Sequence, residues 1–332
     1  MTRLKKHFSV GAGWGRPRAL KAVDDVSFEV GEGEAFGIVG ESGSGKSTLA
    51  MSIVRLYEPT DGAIRFLGRD IAHLSQRELR PLRRGVQMIF QDTKASLNPR
   101  LRVRDCVAEP LITHGVAPRE RQARLVRLME LVGLGPEYLD RFPHELSGGQ
   151  RQRVGIARAL AIEPKLIIAD EPVSALDVSI QAQILNLLKT LQRDLKLTFI
   201  LISHELGVVS YFCDRVAVMY LGRIVEMGPT ESVLSSPRHP YTRALVNAIP
   251  NPDPRARRQP VPLRGEIPSP LDPPPGCPFH TRCPVKIGPI CETEEPSPRP
   301  VHGTGWAACH LLDDASRPSE LPDLARSADS SF

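Results

Sequence analysis

Residues 36–48 read Phe36-Gly-Ile-Val-Gly40-Glu41-Ser42-Gly43-Ser44-Gly45-Lys46-Ser47-Thr48, an apolar run breaking into a glycine- and serine-rich loop that ends in a lysine and two hydroxyls. The run before the loop, Ala35 to Val39, is short and uninterrupted, as a buried strand is; the residues after it, Thr48 to Leu56, take helical spacing. Strand, G-x-x-x-x-G-K-[ST] and helix in that order form a phosphate-binding loop. Its glycines let backbone N–H groups close on phosphate oxygens without a Cβ in the way, and the helix N-terminus adds partial positive charge. Lys46 is then placed to reach the β- and γ-phosphates, and the Ser47 hydroxyl to take one position on Mg²⁺.

Outward from the loop, short apolar runs alternate with helical patterns, which predicts a parallel sheet with crossover helices. Leu166 to Ala169 and Thr198 to Ile202 read as buried strands, and Arg100 to Leu160 as a helical insert with Leu125, Leu128 and Val132 on one face. Val216 to Tyr220 and Arg223 to Glu226, joined through Leu221 and Gly222, read as a hairpin. The strand from Leu166 ends in two adjacent carboxylates, Asp170 and Glu171. At the ligand-facing end of a parallel sheet, Asp170 suits Mg²⁺ through water, and Glu171 suits orienting an attacking water. Leu146-Ser147-Gly148-Gly149-Gln150 opens the helix running through Arg151 to Ala161, and Ser147 with Gln150 fits a capping box. Two glycines at a helix start also expose N–H groups to an anion, although Gly40 already opens one cradle about a hundred residues earlier. Two cradles for one γ-phosphate imply a dimer.

The whole chain has 332 residues with 41% hydrophobic, 24% charged and a net charge of +5, values that exclude a disordered or fibrous class. That excess is too dilute for a dedicated nucleic-acid footprint. No apolar run reaches the roughly 20 residues that span a bilayer. The start lacks the apolar stretch of a signal peptide, so we expect a cytosolic chain with reduced cysteines. Of the 31 prolines, 10 precede residue 229 and 21 follow Gly228, which places a domain edge near 230–240 and argues against regular helix or central strand beyond it.

Gly40 to Thr48, Leu146 to Gln150 and Leu166 to Glu171, in that order, resemble the ATP-binding subunits of ABC transporters. The resemblance implies an α/β fold: a P-loop NTPase (ABC ATPase) core with a mixed sheet, a helical subdomain and, here, a loop-rich C-terminal cysteine segment. By that resemblance Gln91, in Ile-Phe-Gln-Asp, touches Mg²⁺ and sits against the membrane subunit. Asp177, in Ser-Ala-Leu-Asp, reaches across the dimer, and His204, in Ile-Ser-His-Glu, contacts the γ-phosphate. Phe8 is the candidate for stacking on adenine, with Trp14 as its rival.

The C-terminal third resembles one branch, the dipeptide and oligopeptide importers, through Pro237 to Thr242, Gly265 to Pro270, Gly276 to Pro284 and Ala308 to His310. Ala95 to Arg100 resembles the same branch. Cys277, Cys283, Cys291 and Cys309 follow C-x5-C, C-x7-C and C-x17-C spacings. Four thiolates in a segment with little core suggest a metal; the spacings match neither a zinc ribbon nor a ferredoxin and leave zinc and iron–sulfur open. The branch resemblance implies a structural [4Fe–4S] cluster. Cys106 and Cys213 read as packing, and the basic run Arg255 to Arg258 as a solvated linker.

The expected organisation is a nucleotide-binding domain at 4–235 containing a helical subdomain at 93–162, an extension at 236–311 and a disordered tail at 312–332. The expected function is an ATPase that powers import of short peptides on the cytoplasmic face of the membrane. Its partners would be a second ATP-binding subunit, making a heterodimer, two permease subunits and a solute-binding protein, with no nucleic acid. Competing readings are the same machinery carrying nickel, glutathione or another small solute, or a soluble ABC-type ATPase that transports nothing.

Overall fold

In a computed structural model that describes residues 1–11, 18–248 and 265–313, the chain divides into two compact units. One comprises Met1–Glu29, Phe36–Ala72 and the chain from His204 onward; the other comprises Val30–Ala35 and His73–Ser203.

Of the strand that feeds the phosphate loop, Ala35–Val39, all of it buried, the first unit contains Phe36 to Val39. The strand runs parallel to Arg215–Tyr220, with Val216 opposite Gly37 and Val218 opposite Val39. Arg215–Tyr220 then pairs antiparallel with Arg223–Pro229, as the hairpin pattern predicts. Leu221 (φ 44°) and Gly222 (φ 78°) at the turn are both left-handed, the mirror-image geometry that matches the twist of a hairpin. Parallel and antiparallel pairs therefore coexist, and the sheet is mixed. A separate antiparallel sheet places Thr2–Val10 between Arg18–Val26 and Asp61–Ala63.

The proline argument fails in two places, one strand and one helix. Gly305–Ala308 is an interior strand, hydrogen-bonded to Arg223–Pro229 on one side and to Pro298–Val301 on the other. It contains no proline. Pro298 and Pro300 lie in the outer strand of that pair, where a missing N–H costs least. The region also forms short helices, Thr230–Ser235 and Pro240–Asn247, the second with proline at its first position, where no N–H is needed. Glu226, fully buried, ties these pieces down. Its carboxylate accepts from the backbone N–H groups of Arg238 (2.8 Å) and His239 (2.9 Å), and His302 Nε2 lies 2.9 Å from it.

In the second unit Thr198–Ser203, Leu166–Asp170 and Val86–Ile89 are parallel neighbours in that order. Helices Val103–Thr113, Pro118–Leu131, Gly148–Leu160 and Val178–Leu195 accompany them. Leu125, Leu128 and Val132 are buried together, as their spacing predicts.

Candidate active site

The phosphate loop is shaped by backbone that tolerates no side chain at two points. Gly45 (φ +101°) caps the following helix, Lys46–Ile53, in a left-handed conformation, and a Cβ there would stand 2.1 Å from the Ala22 carbonyl oxygen. At Gly40 (φ +155°) a Cβ would stand 2.2 Å from the Met219 carbonyl oxygen. The first N–H groups of the helix have no acceptor within it, and no side chain caps them. Lys46 is buried, and its ammonium donates to the carbonyls of Gly40 (2.7 Å) and Glu41 (2.8 Å). Ser47 is exposed beside it. Lys46 is thus already desolvated and held by the loop's own oxygens, the Ser44 hydroxyl (3.4 Å) as well as the two carbonyls.

In the second unit the strand Leu166–Asp170 ends with Asp170 buried, followed by Glu171 at φ +46°. A non-glycine residue in that region carries strain that a surrounding structure has to hold. Here the Glu171 N–H donates to the Ile202 carbonyl (2.9 Å), while Gln91 Nε2 donates to its carboxylate (2.7 Å). The structure therefore brings together Gln91 and Glu171, 80 residues apart. Asp177 is exposed at the start of the helix Val178–Leu195, and Val178 is 81% exposed. His204, in the first unit, is exposed, with Nε2 4.0 Å from the Glu205 carboxylate.

The Ser147 loop has a different construction. The capping box is complete: Ser147 Oγ accepts from the Gln150 N–H (3.2 Å), and the Gln150 side-chain oxygen accepts from the Ser147 N–H (2.9 Å). Gln150 Nε2 donates to Tyr138 (3.2 Å), so that amide is engaged within its own unit at both ends. A hydroxyl that accepts still has a proton to donate, and Ser147 is exposed. Neither glycine needs left-handed backbone. A Cβ at Gly149 would instead meet Ile180 Cγ2 at 2.6 Å, and one at Gly148 would meet Leu176 at 3.2 Å. Side-chain packing, not only access to N–H groups, accounts for this glycine pair.

Phe8 is partly buried and packs edge-on against Tyr57, ring centroids 5.3 Å apart, with the Lys6 ammonium 4.8 Å from its own centroid. Tyr57, 41% exposed, is an aromatic that the sequence reading missed. Trp14 and Arg255 to Arg258 fall outside the described residues, as does the tail beyond Asp313.

Cys277, Cys283, Cys291 and Cys309 all line one small cavity, together with Phe279, His239 and His310. Burial pushes the thiols of Cys277 and Cys283 up to about 11 and that of Cys309 up to about 12. Among the described residues no three His, Cys, Asp or Glu side chains are gathered closely enough to hold one metal ion. Cys106 and Cys213 are buried and packed as expected, Cys213 lying where a Cβ on Gly37 would come within 3.1 Å of its sulfur.

Two contacts to Glu41 had no signal in the sequence. Arg282 forms a bidentate pair with the Glu41 carboxylate (2.6 and 3.1 Å), and the Glu41 N–H donates to the Tyr241 hydroxyl (2.8 Å). Both partners come from the C-terminal third, more than 190 residues along the chain.

Comparison with known proteins gives two family matches, ABC transporter over residues 23–174 and the oligopeptide/dipeptide transporter C-terminal region over residues 225–291. A putative peptide import ATP-binding protein of Brucella ovis is 53% identical over 307 residues, covering 92% of this chain and 95% of its own. The oligopeptide transport ATP-binding protein AppF of Bacillus subtilis is 50% identical over 314 residues, covering 93% of this chain and 95% of its own. Among solved structures, a dimeric, post-hydrolysis ATP-binding cassette with ADP and Pi superposes with a TM-score of 0.62 at 31% identity, covering 69% of this chain and 97% of that one.

Proposed function

The chain belongs to the ATP-binding subunits of ABC transporters, and on that premise we propose that it hydrolyses ATP to power the import of di- and oligopeptides through separate permease subunits. The relatives named for peptide transport support the cargo, and the match to the oligopeptide transporter C-terminal region supports the branch. One observation carries the enzymatic half: Gln91 holds the Glu171 carboxylate at the end of the strand, on strained backbone.

In this reading the amides from Gly40 to Thr48 and the Lys46 ammonium hold the phosphates. Ser47, Gln91 and Asp170, oxygen donors suited to a hard cation, hold Mg²⁺. When bound, Mg²⁺ neutralises charge that builds on the phosphates. Glu171 orients the attacking water and takes its proton; His204 contacts the γ-phosphate; Phe8 supports the adenine. Ser147 and Gly149 of a partner subunit cover the nucleotide, Asp177 faces that partner, and binding drives closure because those contacts exist only in the closed dimer. The mate is a second, different ATP-binding subunit, and a solute-binding protein delivers the peptide. The relatives named as peptide import ATP-binding proteins support a subunit peripheral to the cytoplasmic face of the membrane, and no helix among the described residues is long and apolar enough to cross one. The domain boundaries at 235 and 311 and the helical subdomain at 93–162 belong to the same reading.

The four cysteines around one cavity are the residues that would hold a [4Fe–4S] cluster, with zinc as the alternative. One zinc ion draws its thiolates to about 3.8 Å from one another, as tetrahedral Zn–S bonds of about 2.3 Å require. A cluster would instead give each thiolate its own iron. When bound, such a cluster would cross-link the loops; the raised thiols mean that loading releases protons.

Glu171→Gln tests the enzymatic assignment: ATP binding is retained while turnover falls about 10²- to 10⁴-fold, the usual worth of a positioned base. Near-normal turnover would remove Glu171 from that role. Copurification with two permease subunits that admit peptides tests the transport assignment.

A further inference from the structure

The cysteine segment is built against the phosphate loop rather than appended to it. Arg282 is the residue before Cys283, and the turn that carries it is closed by its own backbone: His280 N–H to Cys277 C=O (3.0 Å), Arg282 N–H to Phe279 C=O (3.0 Å) and Cys277 N–H to Cys291 C=O (2.9 Å). Phe279, 1% exposed, anchors the turn between Tyr220 and Tyr241, with ring centroids at 5.3 and 5.4 Å. Tyr220 ends the strand leading into the hairpin turn, and that turn also holds the loop, Gly222 N–H donating to the Ser44 carbonyl (2.9 Å). From this base Arg282, itself 7% exposed, reaches the Glu41 carboxylate with two bonds, and Tyr241 takes the Glu41 N–H. Glu41 is the first variable position of the loop, and its carbonyl is one of the two that hold the Lys46 ammonium.

A part-buried, bidentate guanidinium–carboxylate pair fixes orientation as well as distance. With its side chain and N–H both engaged, Glu41 has one backbone orientation open to it, and its carbonyl sets where Lys46 waits. We propose that Arg282 and Tyr241 are positioning residues through which the cysteine segment holds the phosphate loop in its nucleotide-ready shape. They touch neither nucleotide nor the reacting atoms; they act through Glu41. The inference rests on the ATP reading above and adds to it a role for the extension in nucleotide affinity.

The test measures ATP binding by calorimetry on the full chain, and steady-state hydrolysis on the same preparations with the mate subunit added. Arg282→Gln raises the ATP Kd and KM about tenfold, within the range usual for coupled sites, and leaves kcat within about twofold. Arg282→Lys keeps the charge, loses the fork and falls between. Wild-type affinity in folded Arg282→Gln overturns the proposal, even where its melting temperature drops, because Arg282 is then only a strut within the extension. Should Arg282→Gln fail to fold, Glu41→Gln cuts the same pair from the loop side: weakened ATP binding supports the proposal, and unchanged binding overturns it. Where both fold, the double variant loses no more affinity than either single one, and additive losses overturn the pairing. A wild-type chain that binds no ATP would overturn the ATP reading and this inference together, whereas normal wild-type binding with an unaffected Arg282→Gln removes the inference alone.

Discussion

The two glycine-rich loops of this chain look alike in sequence and are built on opposite principles. At Gly40 and Gly45 the backbone is left-handed and a Cβ would strike carbonyl oxygens at 2.2 and 2.1 Å. At Gly148 and Gly149 the backbone is ordinary, a Cβ would strike only side-chain carbons of Leu176 and Ile180, and the loop caps its helix with its own Ser147 and Gln150. The first loop is a site complete in its own backbone. The second has spent its side chains on closing its helix start and leaves Ser147 exposed, as a surface that works on someone else's ligand would.

The largest effect that sharpens this contrast is expected from Gly45→Ala. Left-handed backbone costs a residue with a Cβ about 1–2 kcal/mol, and the carbonyl it meets cannot rotate away. Titration with ATP should show affinity reduced about a hundredfold or more; retention of tight binding would mean that the loop can be rebuilt around a methyl group. Gly149→Ala comes next. It has to displace only one methyl of Ile180, so ATP affinity of the isolated chain should stay within about twofold while turnover of the assembled transporter falls about tenfold. Equal loss of nucleotide affinity in both variants would erase the distinction between the loops.

Mild acid should separate them more gently. His239 caps the helix Pro240–Asn247, its Nδ1 accepting from the Tyr241 N–H, and burial pushes its pKa down to about 4. An unfolded histidine titrates near 6.5, so the unfolded chain takes up this proton first. The stability contributed by the neutral ring is complete above about 6.5 and is lost progressively as pH falls toward about 4. Tyr241, which grips Glu41, sits on that helix, so acid should loosen the phosphate loop's support and spare the Ser147 loop. The melting temperature should drop between pH 6.5 and 4.5, and His239→Asn, which keeps a capping acceptor, should flatten the drop; an unchanged slope would exclude His239 as the source.

What was legible in the sequence was what the backbone dictates. Ala35 to Val39, the Leu221–Gly222 turn and the capping box at Ser147 follow from local pattern, and each was readable without knowing its neighbours. Contacts between distant side chains were not. Nothing near Glu41 announces Arg282, 241 residues away, and nothing near Gly149 announces Ile180. The proline excess misled because it averages over a stretch: Pro298 and Pro300 sit on an outer strand while the proline-free Gly305–Ala308 runs inside. The cysteine spacing suggested a shared site without its geometry, and only the fold shows that the four cysteines line one small cavity.

Hydrolysis by two cooperating loops from two subunits is most directly tested by the specific ATPase activity of the purified chain as it is diluted. The account predicts that turnover per molecule falls away on dilution and is restored by adding the mate subunit. Full turnover by a 36.6 kDa monomer, unchanged at every concentration, would contradict it.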